Sequence, residues 1–395
     1  MWAPRLRAAP AVTVSPASAS PGKQRGLSLV ELMVAVALSS LIMLALAELY
    51  VNMARSQQEM AKTNSQIENA RFAMQFLQYD LIHAGYWGGF IPRFDDLTWQ
   101  DSPAPDDVPA TVPDPCLAYA TPWTQGHVNG LIGLPIDVRT GAPGTCGALL
   151  ADKLADTDVL VVRYADTCIA GGVNCEPEIA GELYFEVSNC TAEILGNPYR
   201  LDNAAGASLL ERNCVDLVGR RKFVQVIYFI RDYARTAGDG VPTLMRSEFR
   251  LAGGVLQQQA AQPLVEGIER FRIEVGLDNI SDVGATVTLA DYADYVDWDD
   301  PDNRISPTNR GDGTADEFVH CGAGCTVAQL INVVEVRLHL LARATEPTAG
   351  YTDSKVYNLG TLAIDASTLE PNFKRHVFSS NFRLYNVAGR RETPP

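Results

Sequence analysis

From Leu27 to Tyr50 the chain runs through apolar side chains broken by only two ionisable acids, Glu31 and Glu48. Wound as a helix, the apolar part measures about 30 Å, the thickness of a bilayer's hydrocarbon core. That fixes the first element, because a lone segment in lipid can satisfy its backbone groups only as a helix. Glu31 is costly at such a depth, about 2.5 to 3.5 kcal/mol on insertion scales, and acids placed there are usually paired. The run therefore predicts a partner for Glu31 as well as a membrane.

Arg5, Arg7, Lys23 and Arg25 precede the run, and no acid lies among the first 26 residues. The positive-inside bias then keeps the short N-terminal part in the cytoplasm and delivers the downstream body outside the inner membrane. A cleaved secretory signal is the competing reading, with "ALA" at Ala45–Ala47 as its small-residue exit. Against it stand the length of the run, the acid near its start, and helical patterning that continues past the cut.

Beyond Tyr50 neither Pro nor Gly occurs before Gly85, and Met60, Ile67, Met74, Leu77 and Leu81 form one apolar stripe at helical spacing. One helix from Leu27 to about His83 is predicted, roughly 85 Å long, its second half packed under a head. A free-standing coiled coil is the alternative. Gly85, Gly88 and Gly89 end the helix.

Residues 91–147 are rich in Pro, Asp and Gly and read as a long loop region, with Trp99 and Trp123 as isolated anchors. Strand patterns follow, in runs beginning at Asp158, Glu182 and Lys222. Lys222–Tyr233 is apolar on both alternating faces and is predicted to be a central strand. The segments 269–276 and 332–343 alternate apolar and charged residues, so each should have one wet face, with His339 a solvated residue on it. A last strand is expected over 375–387, followed by a loose tail at 390–395.

The net charge is −15, and removal of the first 26 residues would leave 28 cations against 47 acids, −19. Nucleic acid is thus excluded as a direct partner, since no basic stripe is present. All eight cysteines, Cys116, Cys146, Cys168, Cys175, Cys190, Cys214, Cys321 and Cys325, lie after the apolar run and none forms C-x-x-C. Disulfides in an oxidising compartment are expected. Sequence leaves about 105 pairings open; sequential pairing is preferred, because Cys321 and Cys325 are neighbours and Cys168 and Cys175 bracket Gly171–Gly172. Free buried thiols are the alternative.

The nucleophile-elbow, phosphate-loop and H-E-x-x-H patterns are missing and the five histidines are scattered, so an enzyme is not expected. "HCGAGC" (His320–Cys325) offers three metal ligands, one fewer than a closed zinc site needs. Asp297, Asp299, Asp300, Asp302 and Asp312 are calcium candidates by oxygen content, but their spacing is not that of an EF-hand. A solvated acidic loop without cofactor is the preferred reading. "RGD" at Arg310–Asp312 is given no role.

"KQRGLSLVELMVA" resembles the class III signal of type IV prepilins: basic residues, a glycine, then an apolar stretch with glutamate at its fifth position. Leu27 stands where phenylalanine is usual. The resemblance implies cleavage by prepilin peptidase between Gly26 and Leu27, N-methylation of Leu27, and pairing of Glu31 with the N-terminal amine of a pilin subunit, which sets axial register. "DLIHAGYWGG", "LVEGIERFRIEVG", "VVEVRLHLLAR" and "RHVFSSNFRLYN" in that order resemble the PilW family of minor pilins.

Together these imply an α+β, type IV pilin-like fold: a long N-terminal helix with a membrane-spanning first half and a large disulfide-braced, β-rich head. The expected divisions are a leader at 1–26, the helix at 27–84, the head at 85–389 and the tail. The implied function is non-catalytic priming and assembly of a type IV pilus, with adhesion, twitching motility and DNA uptake all open as the role of the finished fibre. Implied partners are prepilin peptidase, other minor pilins, the major pilin and a tip adhesin, from an inner-membrane position with the head in the periplasm and later near the pilus tip. The rivals are a type II secretion pseudopilin and a periplasmic binding protein or enzyme released by signal cleavage.

Overall fold

The computed structural model describes residues 26–99, 104–120, 122–196, 198–303 and 306–392. Most of the expected leader, up to Arg25, and the last three residues lie outside that range. The chain divides into two compact units, 1–58 and 59–395. The first contains the apolar half of helix α1 (Leu29–His83), every residue of which is at least partly exposed.

In the second unit α1 is a structural part of the head rather than a stalk before it. Its buried face is Gln66, Ala70, Ala73, Leu77, Asp80 and Leu81. That face is rotated from the expected stripe: Met60 is exposed, and Ile67 and Met74 are only half-buried. Alanine decides the rotation, because small side chains let the helix axis approach the sheets closely, while the two polar residues find partners there. Gln66 donates to Ala342 O at 2.6 Å. Gly85, at a φ of 73° that favours glycine, turns the chain away from α1 and donates to Arg163 O at 3.0 Å.

The larger sheet is antiparallel throughout. Its strands are β1 (Ile136–Arg139), β2 (Val159–Ala165), β3 (Tyr184–Val187), β4 (Tyr199–Asp202), β5 (Arg221–Arg231), β6 (Thr243–Ala252), β7 (Val255–Gln258) and β8 (Gln262–Glu266). Strand β5 is central: β2 pairs one edge, while β3 and β6 share the other at successive stretches. Both its faces are buried, Val224, Val226, Tyr228 and Ile230 toward the main core, Phe223, Ile227 and Phe229 away from it. A strand covered twice is selected to be apolar at every position, which is why its sequence lost the alternation of a half-wet strand.

The second sheet runs β10 (Glu317–Val319), β9 (Ile268–Leu277), β11 (Val333–Arg343), β14 (Arg375–Arg383), again antiparallel. Phe271, Ile273 and Val275 of β9 and Val336, Leu338 and Leu340 of β11 join the α1 alanines and the inner face of the larger sheet in one core. The opposite face of this second sheet is not simply wet. The hairpin β12 (Val356–Leu359) and β13 (Leu362–Asp365) lays Tyr357, Leu359 and Ile364 over Leu341 and Val377.

His339 is accordingly not a solvated residue. It is 6 % exposed, and its Nδ1 shares a hydrogen bond with Ser379 Oγ at 2.7 Å.

Two other expectations need correction. The region 91–147 is not one long loop: it holds helix α2 (Gln125–Gly133), capped by Thr124, and strand β1. Trp123 is no isolated anchor but packs with Tyr119, His127 and Phe249 over β5's outer face. The single-turn helices α3 (Thr191–Ile194) and α4 (Val327–Leu330) complete the connections.

Of the expected loose tail, Arg390 and Arg391 are instead the end of α5 (Tyr385–Arg391), with Arg391 fully buried; residues 393–395 lie outside the described residues. Arg391 donates to Asp95 Oδ1 at 2.9 Å, to Asp278 Oδ2 at 3.1 Å and to Ile331 O at 2.6 Å. Arg390 lies 2.6 Å from the other oxygen of Asp95. Charge composition alone made this segment look soluble; acids supplied by distant loops made it part of the core.

Candidate assembly site

Gly26, Leu27 and Ser28 precede α1 outside any regular element, with Leu27 exposed. Ser28 caps the helix. Its N–H donates to Glu31 Oε2 at 2.9 Å, and the Glu31 N–H donates to Ser28 Oγ at 3.2 Å. This reciprocal pair is a capping box, which satisfies two of the helix's orphan donors. The glutamate therefore has a local partner inside its own chain. One of its oxygens carries that bond; the other has room for a second donor. Ser39 and Ser40 return their hydroxyl protons to backbone oxygens one turn earlier, Ser40 to Val36 O at 2.7 Å, so they too ask nothing of the lipid. The segment's mean hydropathy reaches 2.4, long and apolar enough to cross a membrane.

Within the head unit, the second half of α1 is fixed to the sheets by a buried carboxylate. Asp80 accepts the Tyr164 hydroxyl at 2.6 Å and the Tyr228 hydroxyl beside it, and lies 3.4 Å from Arg246 Nε. Arg246 extends the chain of contacts to Glu248 at 3.0 Å, which Lys222 reaches at 3.3 Å. Burial, then the Asp80 charge, pushes both tyrosine hydroxyls far above their ordinary range, so they act as donors throughout the physiological pH range. Burial pushes the Glu248 carboxyl up, but Lys222 and Arg246 outweigh it and hold it below its usual value. Nearer the start of the unit, Glu59 meets Lys374 at 2.6 Å and accepts from Thr348 at 3.0 Å. Asn69 donates to Glu266 O, and Asn386 to Ile82 O and Ala84 O.

Asp80 was missed in the sequence, though the signal was there: an acid between Leu77 and Leu81 on the apolar side of the helix, the same anomaly that marks Glu31.

The cysteines join in chain order, Cys116 to Cys146, Cys168 to Cys175, Cys190 to Cys214 and Cys321 to Cys325. With its sulfurs bridged, "HCGAGC" leaves only His320, whose Nε2 sits 3.0 Å from Asp158. The acidic residues do not converge. Asp297, Asp300 and Asp312 accept from the backbone N–H two residues on, in local turns. Asp299 and Asp302 are the donors to two of those turns. Among the described residues, three groups close enough for one ion occur at Asp114, Cys116 and Cys146, where the two sulfurs are already bonded to each other. Arg310 of the "RGD" is fully buried against Tyr292.

Residues 227–386 match the family described as type IV pilus-assembly protein W, and residues 21–47 match the prokaryotic N-terminal methylation motif. The first covers the span from within β5 to the start of α5; the second covers Gly26, Leu27, Glu31 and most of the apolar run. No curated protein matches the chain. Among solved structures, a type IV-like pilin from Thermus thermophilus aligns over 64 % of this chain and 82 % of its own, at 11 % identity and a TM-score of 0.26, too low to support any inference.

Proposed function

We infer, for a chain that is a PilW-family minor pilin of type IV pilus assembly, that its work is done without catalysis, by docking: Gly26 marks the processing boundary, Leu27 becomes the methylated terminus, and Glu31 sets the height at which the helix enters the fibre. The observation that carries this reading is the union, in one polypeptide, of the methylation motif over 21–47 and the pilus-assembly region over 227–386.

The capping box supports a specific order of events. Before assembly, Glu31 is partly satisfied by the Ser28 N–H, which lowers the cost of holding a carboxylate in lipid. In the fibre its second oxygen takes the ammonium of a neighbouring subunit. The gain in such a pair is largely offset by desolvation, so its value lies in register more than in stability. The chain is anchored in the inner membrane by a single pass, with the head in the periplasm, and joins other minor pilins, the major pilin and an adhesin near the tip. Prepilin peptidase acts on it first. No bound metal is needed for any of these steps.

Mass spectrometry of the membrane-bound product tests the reading. The expected N-terminus is N-methylated Leu27; an unprocessed leader in cells with active peptidase overturns it. Glu31→Ala should sharply lower pilus output and recovery of sister subunits, and unchanged values would remove the role assigned to the carboxylate.

A further inference from the structure

On β9 the side chains of Phe271 and Ile273 enter the core, so the residues that alternate with them, Arg270 and Arg272, stand on the opposite face of the sheet. That face is covered by the β12–β13 hairpin only in part. Where the cover ends, a cleft of about 460 Å³ opens between the two arginines and the end of β13, with Thr140, Asp156, Asp365 and Thr368 around its rim.

Among the described residues, neither arginine has an acid. Arg270 donates to the carbonyl of its neighbour Glu269 at 3.0 Å. Among the described residues the Arg272 guanidinium has no hydrogen-bond or ion-pair partner, and its Nε is shut off from solvent. Neither rim acid forms an ion pair with either guanidinium, and the Asp365 carboxylate is taken by the Ser367 N–H at 2.8 Å. In a chain of net charge −15 the buried guanidiniums of Arg163, Arg220, Arg310, Arg375 and Arg391 have each found an acceptor, although the Nε atoms of Arg139, Arg220, Arg310, Arg343 and Arg390 also lack a hydrogen bond; what sets the half-buried Arg272 apart is that, among the described residues, no nitrogen of its guanidinium has one. The Arg272 Nε is closed to a ligand as it is to solvent, so the donors the cleft can offer are the remaining nitrogens of the two arginines that line it, and an N–H left without an acceptor there costs about 1 to 3 kcal/mol. Two guanidinium forks side by side fit a planar oxyanion, and a carboxylate can take both parallel bonds from one fork.

We propose that this cleft binds the carboxylate side chain of an acidic segment on a neighbouring pilus subunit. The volume has room for a side chain with its flanking backbone, where a lone ion would fill only part of it. The owner of the carboxylate rests on the minor-pilin reading; the anion site itself does not.

The test uses the full chain in detergent micelles at low salt, with a labelled, end-blocked oligoglutamate peptide, an oligoglutamine peptide as the uncharged control, and inorganic phosphate as competitor. The glutamate peptide should bind wild type and Arg212→Gln, a control that removes an exposed cation elsewhere, and bind about tenfold more weakly to Arg270→Gln and Arg272→Gln. Thermal melting confirms that the variants are folded, and Arg272→Lys, which keeps charge but loses the fork, should fall between. Absence of glutamate-peptide binding, equal binding of the glutamine peptide, or an equal loss in Arg212→Gln overturns the site. Displacement by equimolar phosphate shows a free-oxyanion site and overturns the protein carboxylate. If binding falls while pilus output in cells carrying Arg270→Gln/Arg272→Gln is unchanged, the proposed owner is wrong although the site stands. That result is distinct from a failure of Leu27 processing, which would overturn the minor-pilin reading itself.

Discussion

The Asp80 carboxylate on α1 accepts the hydroxyl proton of Tyr164 on β2 at 2.6 Å, inside the main apolar core. Helix and sheet are thereby tied at one fixed rotation, which apolar contacts alone would leave loosely specified. Asp80→Ala would leave the hydroxyl protons of Tyr164 and Tyr228 without their acceptor, and Arg246 with only Glu248 and the Tyr228 oxygen. A loss of about 3 to 5 kcal/mol is expected from breaking such a buried charged pair, read as a lowered denaturation midpoint of the full chain. A change below about 0.5 kcal/mol, the range of ordinary surface substitutions, would show that the carboxylate does not fix the helix.

Arg391 should behave as a core residue despite its place near the end of the sequence. Arg391→Ala leaves Asp95 and Asp278 with one cation fewer, and Tyr292 with Arg310 as the guanidinium remaining over its ring. The expected cost is again about 3 to 5 kcal/mol. Arg383→Ala, whose partner Glu392 is exposed, should cost less than about 1 kcal/mol. Equal effects in the two variants would contradict the burial assigned to α5.

The disulfides should differ in value with the chain they close. Cys116 and Cys146 are 30 residues apart and Cys321 and Cys325 only 4. Loop-closure entropy predicts about 3.6 kcal/mol for the first and about 1.9 kcal/mol for the second. Paired Cys→Ser replacements, compared by urea denaturation, test the ranking; the reverse order would point to native-state effects that dominate over chain entropy.

Acid should loosen the head through Glu248. Its carboxyl is held below its ordinary value of 4.5 in the fold, so the folded state binds the proton less readily than the unfolded chain. Its contribution is present in full above that value and is lost as pH falls through the depressed folded value. Glu248→Gln should therefore be less stable than wild type at neutral pH, and the gap should narrow below about pH 4.5. A gap that stays constant from neutral pH down to acid unfolding would rule out the ionised Glu248 as its source.

Strand β5 and helix α1 were legible in the sequence because each carries a signal longer than its own noise. Eleven nearly unbroken strand positions, or many turns without Pro or Gly, admit few other structures. The short strands β4, β7, β12 and β13 carry no such signal at four residues each, and their pairing is set by turns and by partners far along the chain. The methylation motif over residues 21–47, with Glu31 inside it, was legible for a different reason: it lies in one contiguous segment, where spacing along the chain is spacing in the helix. The Arg270 and Arg272 cleft was not, since it exists only where a hairpin nearly a hundred residues later stops covering β9.

By itself, then, the sequence determined what local physics decides: a helix that lipid can accept, an acid within it that needs a donor, and strands whose alternation or lack of it reports how many faces are covered. Tertiary structure alone decided which polar groups those faces would bury. Asp80, His339 and Arg391 read as ordinary surface residues until acids, hydroxyls and a covering hairpin from distant segments are brought against them. A buried charge is stable only in the company of partners, and the identity of those partners is a property of the fold and not of the neighbouring residues in the chain.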